Sequence, residues 1–98
     1  VKVVVTHQPA AVLQAGDRVN RLRGAGAALA AWHAAGVDLV LGGHIHLPFV
    51  VPWRGPPRPL WVVQAGTAVS SRVRDGRPNS VTELHASHPG APRACRVR

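Results

Sequence analysis

Three histidines are the side chains in this sequence whose types and positions best suit chemistry. His7 follows an apolar run at residues 1–5, and His44 and His46 follow a second apolar run at residues 38–41. Neutral imidazole is the commonest nitrogen ligand for zinc, and it also suits iron and nickel. The pattern predicts a metal site made from His7, His44 and His46, and it assigns no catalytic acid or base.

The local sequence around the second apolar run favours a metal clamp. His44 and His46 are two residues apart, so in an extended segment both imidazoles would face one side while Ile45 turns to the core. Gly42 and Gly43 precede them. Glycine tolerates backbone angles that a side chain forbids, so we expect the chain to turn sharply there as it leaves the sheet.

Two strands and a helix must bring these histidines together. Residues 1–5, which are apolar apart from Lys2, and residues 38–41, which are apolar after Asp38, form the runs expected of buried strands. The stretch between them has a helical pattern, with Asp17 as its predicted N-cap and Gly36 as its stop. Strand, helix and strand predict a βαβ unit with parallel strands, whose carboxyl ends meet at the edge where ligands bind. His7 is therefore expected beside the other two histidines.

The chain after His46 predicts mainly antiparallel strands and then a tail. Its proline-rich part cannot be a central strand, because proline lacks the N–H that a sheet needs. In order, we expect a loop or edge at 49–59, a strand at 60–64, an extended stretch at 68–73, a turn at Asp75-Gly76, a strand at 80–85 and a disordered, basic tail at 86–98. Residues 1–85 are then the folded unit.

The other histidines have less suggestive positions. His33 lies in the middle of the predicted helix, and His85 and His88 lie near the basic tail. We predict structural or solvated roles for all three.

Composition predicts a soluble α/β domain or part of one. Of 98 residues, 46% are apolar, and no apolar run approaches the roughly 20 residues that span a bilayer, so no membrane partner is expected. Cys95 stands alone, which rules out a disulfide within these residues. No leader segment is recognisable, which favours the cytoplasm, and a start inside a strand-like run favours a piece of a longer protein.

The charge is strongly basic, with 12 Lys and Arg against 4 Asp and Glu and a formal net charge of +8. Such a balance suits a polyanion partner such as nucleic acid. Compositional bias explains it more simply, because the chain is rich in Ala, Gly, Arg and Pro and its arginines are scattered. A nucleic-acid partner is therefore not favoured.

The histidine motifs resemble those of the calcineurin-like metallophosphoesterases. In that family the fourth motif is a histidine just after a buried strand, as at His7, and the fifth is Gly-His-x-His, as at Gly43-His44-Ile45-His46. The stretches 64–68 and 77–80 also resemble the strand, turn and strand that close the second sheet of bacterial members. The likeness covers about residues 1–85.

The resemblance implies a fold, a reaction and a set of ligands. The chain would be the C-terminal half of an αββα sandwich, in which His7 and His44 bind one divalent metal ion and His46 binds a second. The metals would be manganese, iron or zinc. They would activate a water that attacks phosphorus in a phosphate mono- or diester substrate.

The sequence departs from the family pattern in its carboxylates. The family motifs Asp-x-His, Gly-Asp-x-x-Asp and Gly-Asn-His-Glu/Asp are absent from these 98 residues. Three neutral imidazoles offer no negative charge to two divalent cations. The isolated chain is therefore expected to be inactive, and its expected partner is the missing N-terminal half of the domain.

Two other functions fit part of the pattern. One is a small autonomous protein that holds a single zinc ion through His7, His44 and His46, with an open position for water. The other is a basic nucleic-acid-binding module, whose affinity would fall steeply with salt and survive His44→Ala. Metal stoichiometry separates the first from a two-metal enzyme.

Overall fold

The two apolar runs form neighbouring parallel strands joined by a helix. Strand β1 (Val3–Val5) pairs in parallel with β2 (Leu39–Gly42), and helix α1 (Ala25–Ala34) lies between them in the chain. Val and Leu suit this arrangement because their side chains fill a pleated surface. The predicted βαβ unit is confirmed.

The structure is a computed structural model that describes residues 1–74, 76–87 and 95–97. The chain forms a mixed α/β domain with a four-stranded sheet and a small two-stranded sheet. Its remaining elements are a 3-10 helix at Ala15–Asn20 and the strands β3 (Phe49–Arg54), β4 (Leu60–Gln64), β5 (Leu84–Ala86) and β6 (Cys95–Val97).

The larger sheet has the strand order β1-β2-β4-β3. Strand β4 is parallel to β2 and antiparallel to β3, so the sheet is mixed. Strand β3 lies at the edge, which is where Pro52 can be accommodated without breaking a ladder on both sides. The predicted edge position of this proline-rich segment and the predicted strand at residues 60–64 are confirmed.

The C-terminal part of the chain differs from the prediction. Strand β6 lies within residues 86–98, which the composition assigned to a disordered tail, and it pairs antiparallel with β5. Residues 68–73, predicted to be extended, contain no strand, and an isolated bridge joins Arg74 to Arg77. Asp75 of the predicted turn lies outside the described residues, as do residues 88–94 and 98.

Helix α1 ends where the sequence predicts and begins later than predicted. Gly36 has φ 86°, and the N–H groups of Gly36 and Val37 donate to the carbonyls of His33 and Trp32. These bonds form a Schellman motif, the ending for which glycine is the usual residue. The predicted stop at Gly36 is confirmed.

Asp17 does not cap this helix, so that prediction is wrong. It lies in the 3-10 helix Ala15–Asn20, is buried, and forms an ion pair with Arg74. The residue that precedes α1 is Gly24, in a left-handed conformation with φ 71°. The Asp17 carboxylate binds Arg74, which is distant in sequence, and does not reach the N–H groups at the start of α1.

The core lies between α1 and one face of the larger sheet. It consists of apolar side chains from both layers. Its buried residues are Ala10, Leu29, Val37, Val40, Leu60 and Val62. Among the described residues, neither helix has the length and apolar character that crossing a membrane requires.

The opposite face of the larger sheet is only partly covered. Side chains alternate between the two faces of a strand, so the neighbours of the core residues point away from α1. Val3, Val5, Val50 and Trp61 are exposed there. A cavity of about 580 Å³ on this side is lined by Trp61 and Val50 together with Val97 of β6.

Candidate functional site

The three predicted histidines line one cavity at the carboxyl ends of the parallel strands. His7 follows β1, and His44 and His46 follow β2, whose end is joined to the first segment by a 2.8 Å hydrogen bond from Thr6 N–H to Leu41 O. The cavity has a volume of about 660 Å³, and its polar lining includes Thr67, Arg72 and Arg74. The strand order thus brings together residues that are distant in sequence.

The rings of His7 and His44 are in direct contact. His7 Nε2 lies 3.0 Å from His44 Nδ1, and the ring planes meet at 62° with their centroids 4.8 Å apart. At this distance one nitrogen donates a hydrogen bond and the other accepts it. Both side chains are exposed to solvent in the cavity.

The same pair of nitrogens has a spacing that suits a shared metal ion. A zinc ion with tetrahedral geometry holds each imidazole nitrogen at about 2.0–2.1 Å, which places two such nitrogens about 3.3 Å apart. The 3.0 Å between His7 Nε2 and His44 Nδ1 is slightly shorter than that spacing. To bind one ion, the two rings would have to separate slightly and turn until both nitrogen lone pairs point toward it.

His46 has a separate partner that fixes its tautomer. Its Nδ1 lies 2.8 Å from the carbonyl oxygen of Arg72. A carbonyl can only accept, so Nδ1 carries the proton and Nε2 carries the free lone pair. Histidines that bind metals usually donate their other ring N–H to such an acceptor.

The backbone at the His-x-His pair is not extended, which corrects the sequence prediction. His44 has φ 72° and His46 has φ 58°, both in the left-handed region that non-glycine residues rarely adopt. Ile45 between them is buried, as predicted. The positive angles fall on the histidines and not on Gly42 or Gly43, so the predicted role of those glycines is wrong.

Glycine is needed at position 42 because the structure leaves no room there for a side chain. A Cβ atom at this position would lie 2.6 Å from Oε1 of Gln64, a side chain on the adjacent strand β4. Gln64 is buried, and its Nε2 donates to the carbonyl of Gly43. The sequence reasoning missed Gln64 because a polar residue at the end of an apolar strand was its only distinguishing sign.

Arg74 is a second residue that sequence reasoning missed. Its Nη1 donates to the carbonyl of Ile45 at 3.1 Å, and its two Nη atoms bind both oxygens of Asp17 at 2.8 and 3.1 Å. Arg74 therefore connects the His-x-His loop to a buried carboxylate. No local pattern marks this residue, because its partners come from two distant segments.

The described residues supply a histidine pair but not a complete ligand set. No group of three or more His, Cys, Asp and Glu side chains in residues 1–74, 76–87 and 95–97 is arranged to hold a metal ion. His7 and His44 form the pair, and His46 faces the same cavity with a different partner. The carboxylate of Asp17 lies next to the cavity-lining Arg74 and is bound to it.

His33 and His85 lie away from this cavity. His33 Nε2 contacts the carbonyl of Arg58 at 2.9 Å, and its ring packs against Trp53 with centroids 5.9 Å apart. His85 forms an exposed pair with Glu83 at 3.2 Å. These contacts agree with the structural and solvated roles predicted for His33 and His85, and His88 lies outside the described residues.

No protein-family model, curated protein or solved structure matches this chain.

Proposed function

We propose that this chain is the C-terminal part of a calcineurin-like metallophosphoesterase domain and contributes the histidine ligands of its two-metal centre. The observation that carries the proposal is the 3.0 Å contact between His7 Nε2 and His44 Nδ1 at the ends of two parallel strands. His46 faces the same cavity. The proposed reaction is hydrolysis of phosphate mono- or diesters.

The order of the motifs along the sheet supports this proposal. A histidine after β1 and a Gly-His-x-His segment after β2 resemble the fourth and fifth motifs of the family, and they converge on one cavity. Gly66 and Thr67, which follow β4 and belong to the third stretch of resemblance, line that cavity as well. Three segments of the chain that resemble the family therefore contribute residues to one cavity.

Each histidine would have a defined role in the proposed two-metal centre. His7 and His44 would hold one ion and His46 the other, with manganese, iron or zinc as the candidate metals. The metals supply the activation of a bound water. The 2.8 Å bond from His46 Nδ1 to Arg72 O keeps the His46 ring oriented with Nε2 available. The exposed guanidinium of Arg72 suits the oxygen atoms of a phosphate group.

The proposal requires carboxylates from another segment. A two-metal centre needs negative charge, whereas this cavity is lined by imidazoles and by two arginines. We propose a partner segment, in the same polypeptide or another, that carries the Asp-x-His, Gly-Asp-x-x-Asp and Gly-Asn-His motifs. Strand β1 has a neighbour on one side only among the described strands, so its other edge is open to such a segment.

Titration calorimetry with Mn²⁺ and with Zn²⁺ tests the ligand assignment. We expect weak binding by the wild-type chain, a loss of at least about tenfold in affinity for His44→Ala and His7→Ala, and no change for His85→Ala, which lies outside the cavity. Equal affinity in wild type and His44→Ala would contradict the proposal.

Two further outcomes of the same experiment are informative. Addition of a segment that carries the three missing motifs should produce hydrolysis of bis(p-nitrophenyl) phosphate. Tight binding of one zinc ion per chain, dependent on His7, His44 and His46 alike, would instead support the single-zinc protein.

A further inference from the structure

Two histidines of the candidate site are held in an unfavourable backbone conformation. His44 and His46 both have positive φ. The N–H of Ile45 donates to the carbonyl of Gly43 at 2.8 Å, which makes a three-residue γ-turn centred on His44. A γ-turn with positive φ at its centre is the rare, strained form. Strain of this kind persists only where neighbouring groups hold it in place.

The peptide that precedes His44 is held by Gln64. The Nε2 of Gln64 donates to Gly43 O, the oxygen of that peptide. Gln64 is 1% exposed and belongs to β4, which is paired with β2 on one side and β3 on the other. A rigid, buried donor therefore fixes the peptide plane from which the φ angle of His44 is measured.

The peptide that precedes His46 is held in the same way by Arg74. Nη1 of Arg74 donates to Ile45 O at 3.1 Å, while its guanidinium is anchored on both oxygens of Asp17. Nη2 also contacts Gln14 Oε1 at 3.2 Å. A two-point contact between guanidinium and carboxylate restricts the donor to one orientation.

We propose that Gln64 and Arg74 are positioning residues of the histidine site, Gln64 acting on His44 and Arg74 acting on His46. The inference rests on the proposed function of that site. Each donor fixes the peptide before one histidine, and so it fixes where that imidazole lies in the cavity. Neither side chain needs to touch a metal ion or a substrate.

One property of the Gln64 amide allows its effect on the histidine position to be tested apart from its effect on the stability of the fold. Its Oε1 is buried and has no hydrogen-bond partner among the described residues. A buried polar atom without a partner lowers stability, so replacement by an apolar residue of similar size removes that penalty. Gly43 O keeps the N–H of Ile45 as a donor, so Gln64→Met should leave the fold at least as stable while it removes the side-chain bond to that oxygen.

The test compares Gln64→Met and Arg74→Lys with wild type and with Arg18→Lys, an exposed control outside the cavity. In the metal-free full chain, long-range ¹H–¹⁵N spectra of the imidazole rings report the His7–His44 contact and the Nδ1–H tautomer of His46. Thermal melts report the fold. Zinc titration reports the affinity for metal.

We expect a specific pattern across these variants. Gln64→Met should melt at an unchanged or higher temperature, lose the ring signature of the His7–His44 contact, and bind zinc about tenfold more weakly. Arg74→Lys keeps the charge but loses the planar fork, so it should alter the His46 ring signals first. Arg18→Lys should match wild type in all three measurements.

Other patterns would overturn the inference and are distinguishable from failure of the proposed function. A lower melting temperature or failure to fold in Gln64→Met would assign Gln64 a structural role. Unchanged ring signals in both variants would remove the positioning role even if zinc binds. If wild type binds no metal but the variants lose their ring signatures, the positioning inference stands and the metal-site proposal fails.

Discussion

At the scale of single residues, the site depends on a close fit between Gly42 and Gln64. Any side chain at residue 42 would meet the buried amide, because a Cβ would lie 2.6 Å from Gln64 Oε1 and 3.4 Å from Gln8 O. Gln64 cannot move aside easily, since it is 1% exposed and its Nε2 is bound to Gly43 O. Small-to-large changes in such places force neighbouring groups off their preferred positions.

We therefore expect Gly42→Ala to lower the free energy of unfolding by about 1–3 kcal/mol. Urea denaturation followed by circular dichroism measures the change. Gly26→Ala is the matched control, because Gly26 lies in α1 and a Cβ there would meet nothing within 4 Å. That substitution should raise the free energy of unfolding by about 0.5–1 kcal/mol. Equal effects at both glycines would contradict the fit described for Gly42.

Residue types and spacing predict where the three histidines lie but not how they are held. Parallel pairing of two apolar runs is enough to place His7 beside His44, and both runs can be read from the sequence. The positive φ angles of His44 and His46 cannot be read in this way, because they depend on donors from Gln64 and Arg74. These donors come from segments about 20 to 30 residues further along the chain.

At the scale of elements, the two ends of α1 differ in whether the local sequence determines where the helix stops or starts. The helix ends at Gly36, where the N–H of Gly36 donates to His33 O and the N–H of Val37 donates to Trp32 O, so the ending is encoded locally. The start is set by tertiary contacts instead. Asp17 binds Arg74, and the N–H of Leu22 donates to Pro9 O at 2.8 Å, which holds the preceding segment outside the helix.

Strand β6 shows the limit of a prediction made from composition. A polar, basic and proline-containing composition predicts a disordered tail. Residues 95–97 nevertheless pair antiparallel with β5, with Cys95 opposite Ala86 and Val97 opposite Leu84. Pairing with the preceding strand of the chain supplies hydrogen bonds that composition alone does not anticipate.

Helix α1 should contribute to stability mainly through Leu29. This side chain is fully buried against the larger sheet, with 0% exposure. We expect Leu29→Ala to lower the free energy of unfolding by about 2–5 kcal/mol, since it removes buried apolar area and leaves a cavity. Chemical denaturation gives the value. Leu13→Ala, at a position that is 57% exposed, should change it by no more than about 0.5 kcal/mol.

At the scale of the whole molecule, the two faces of the larger sheet are covered unequally. Helix α1 and the core residues cover one face, while the exposed side chains Val3, Val5, Val50 and Trp61 lie on the other. Among the described strands, β1 also has no neighbour on its outer edge. Exposed apolar area next to an open strand edge favours pairing with another β-strand. The same surface would receive the carboxylate-bearing segment in the proposed enzyme.

Val5→Lys tests whether this open edge drives association. Val5 is 73% exposed on β1, and a lysine on an edge strand discourages further pairing. We expect the wild-type chain to self-associate with rising concentration in analytical ultracentrifugation, and Val5→Lys to shift it toward monomer. Val19→Lys controls for added charge, because Val19 is 86% exposed but lies in the 3-10 helix, away from the sheet. A wild-type chain that stays monomeric and melts cooperatively without metal would mean that the larger sheet needs no further strand, and a complementary segment would then have to reach the histidine cavity by another route.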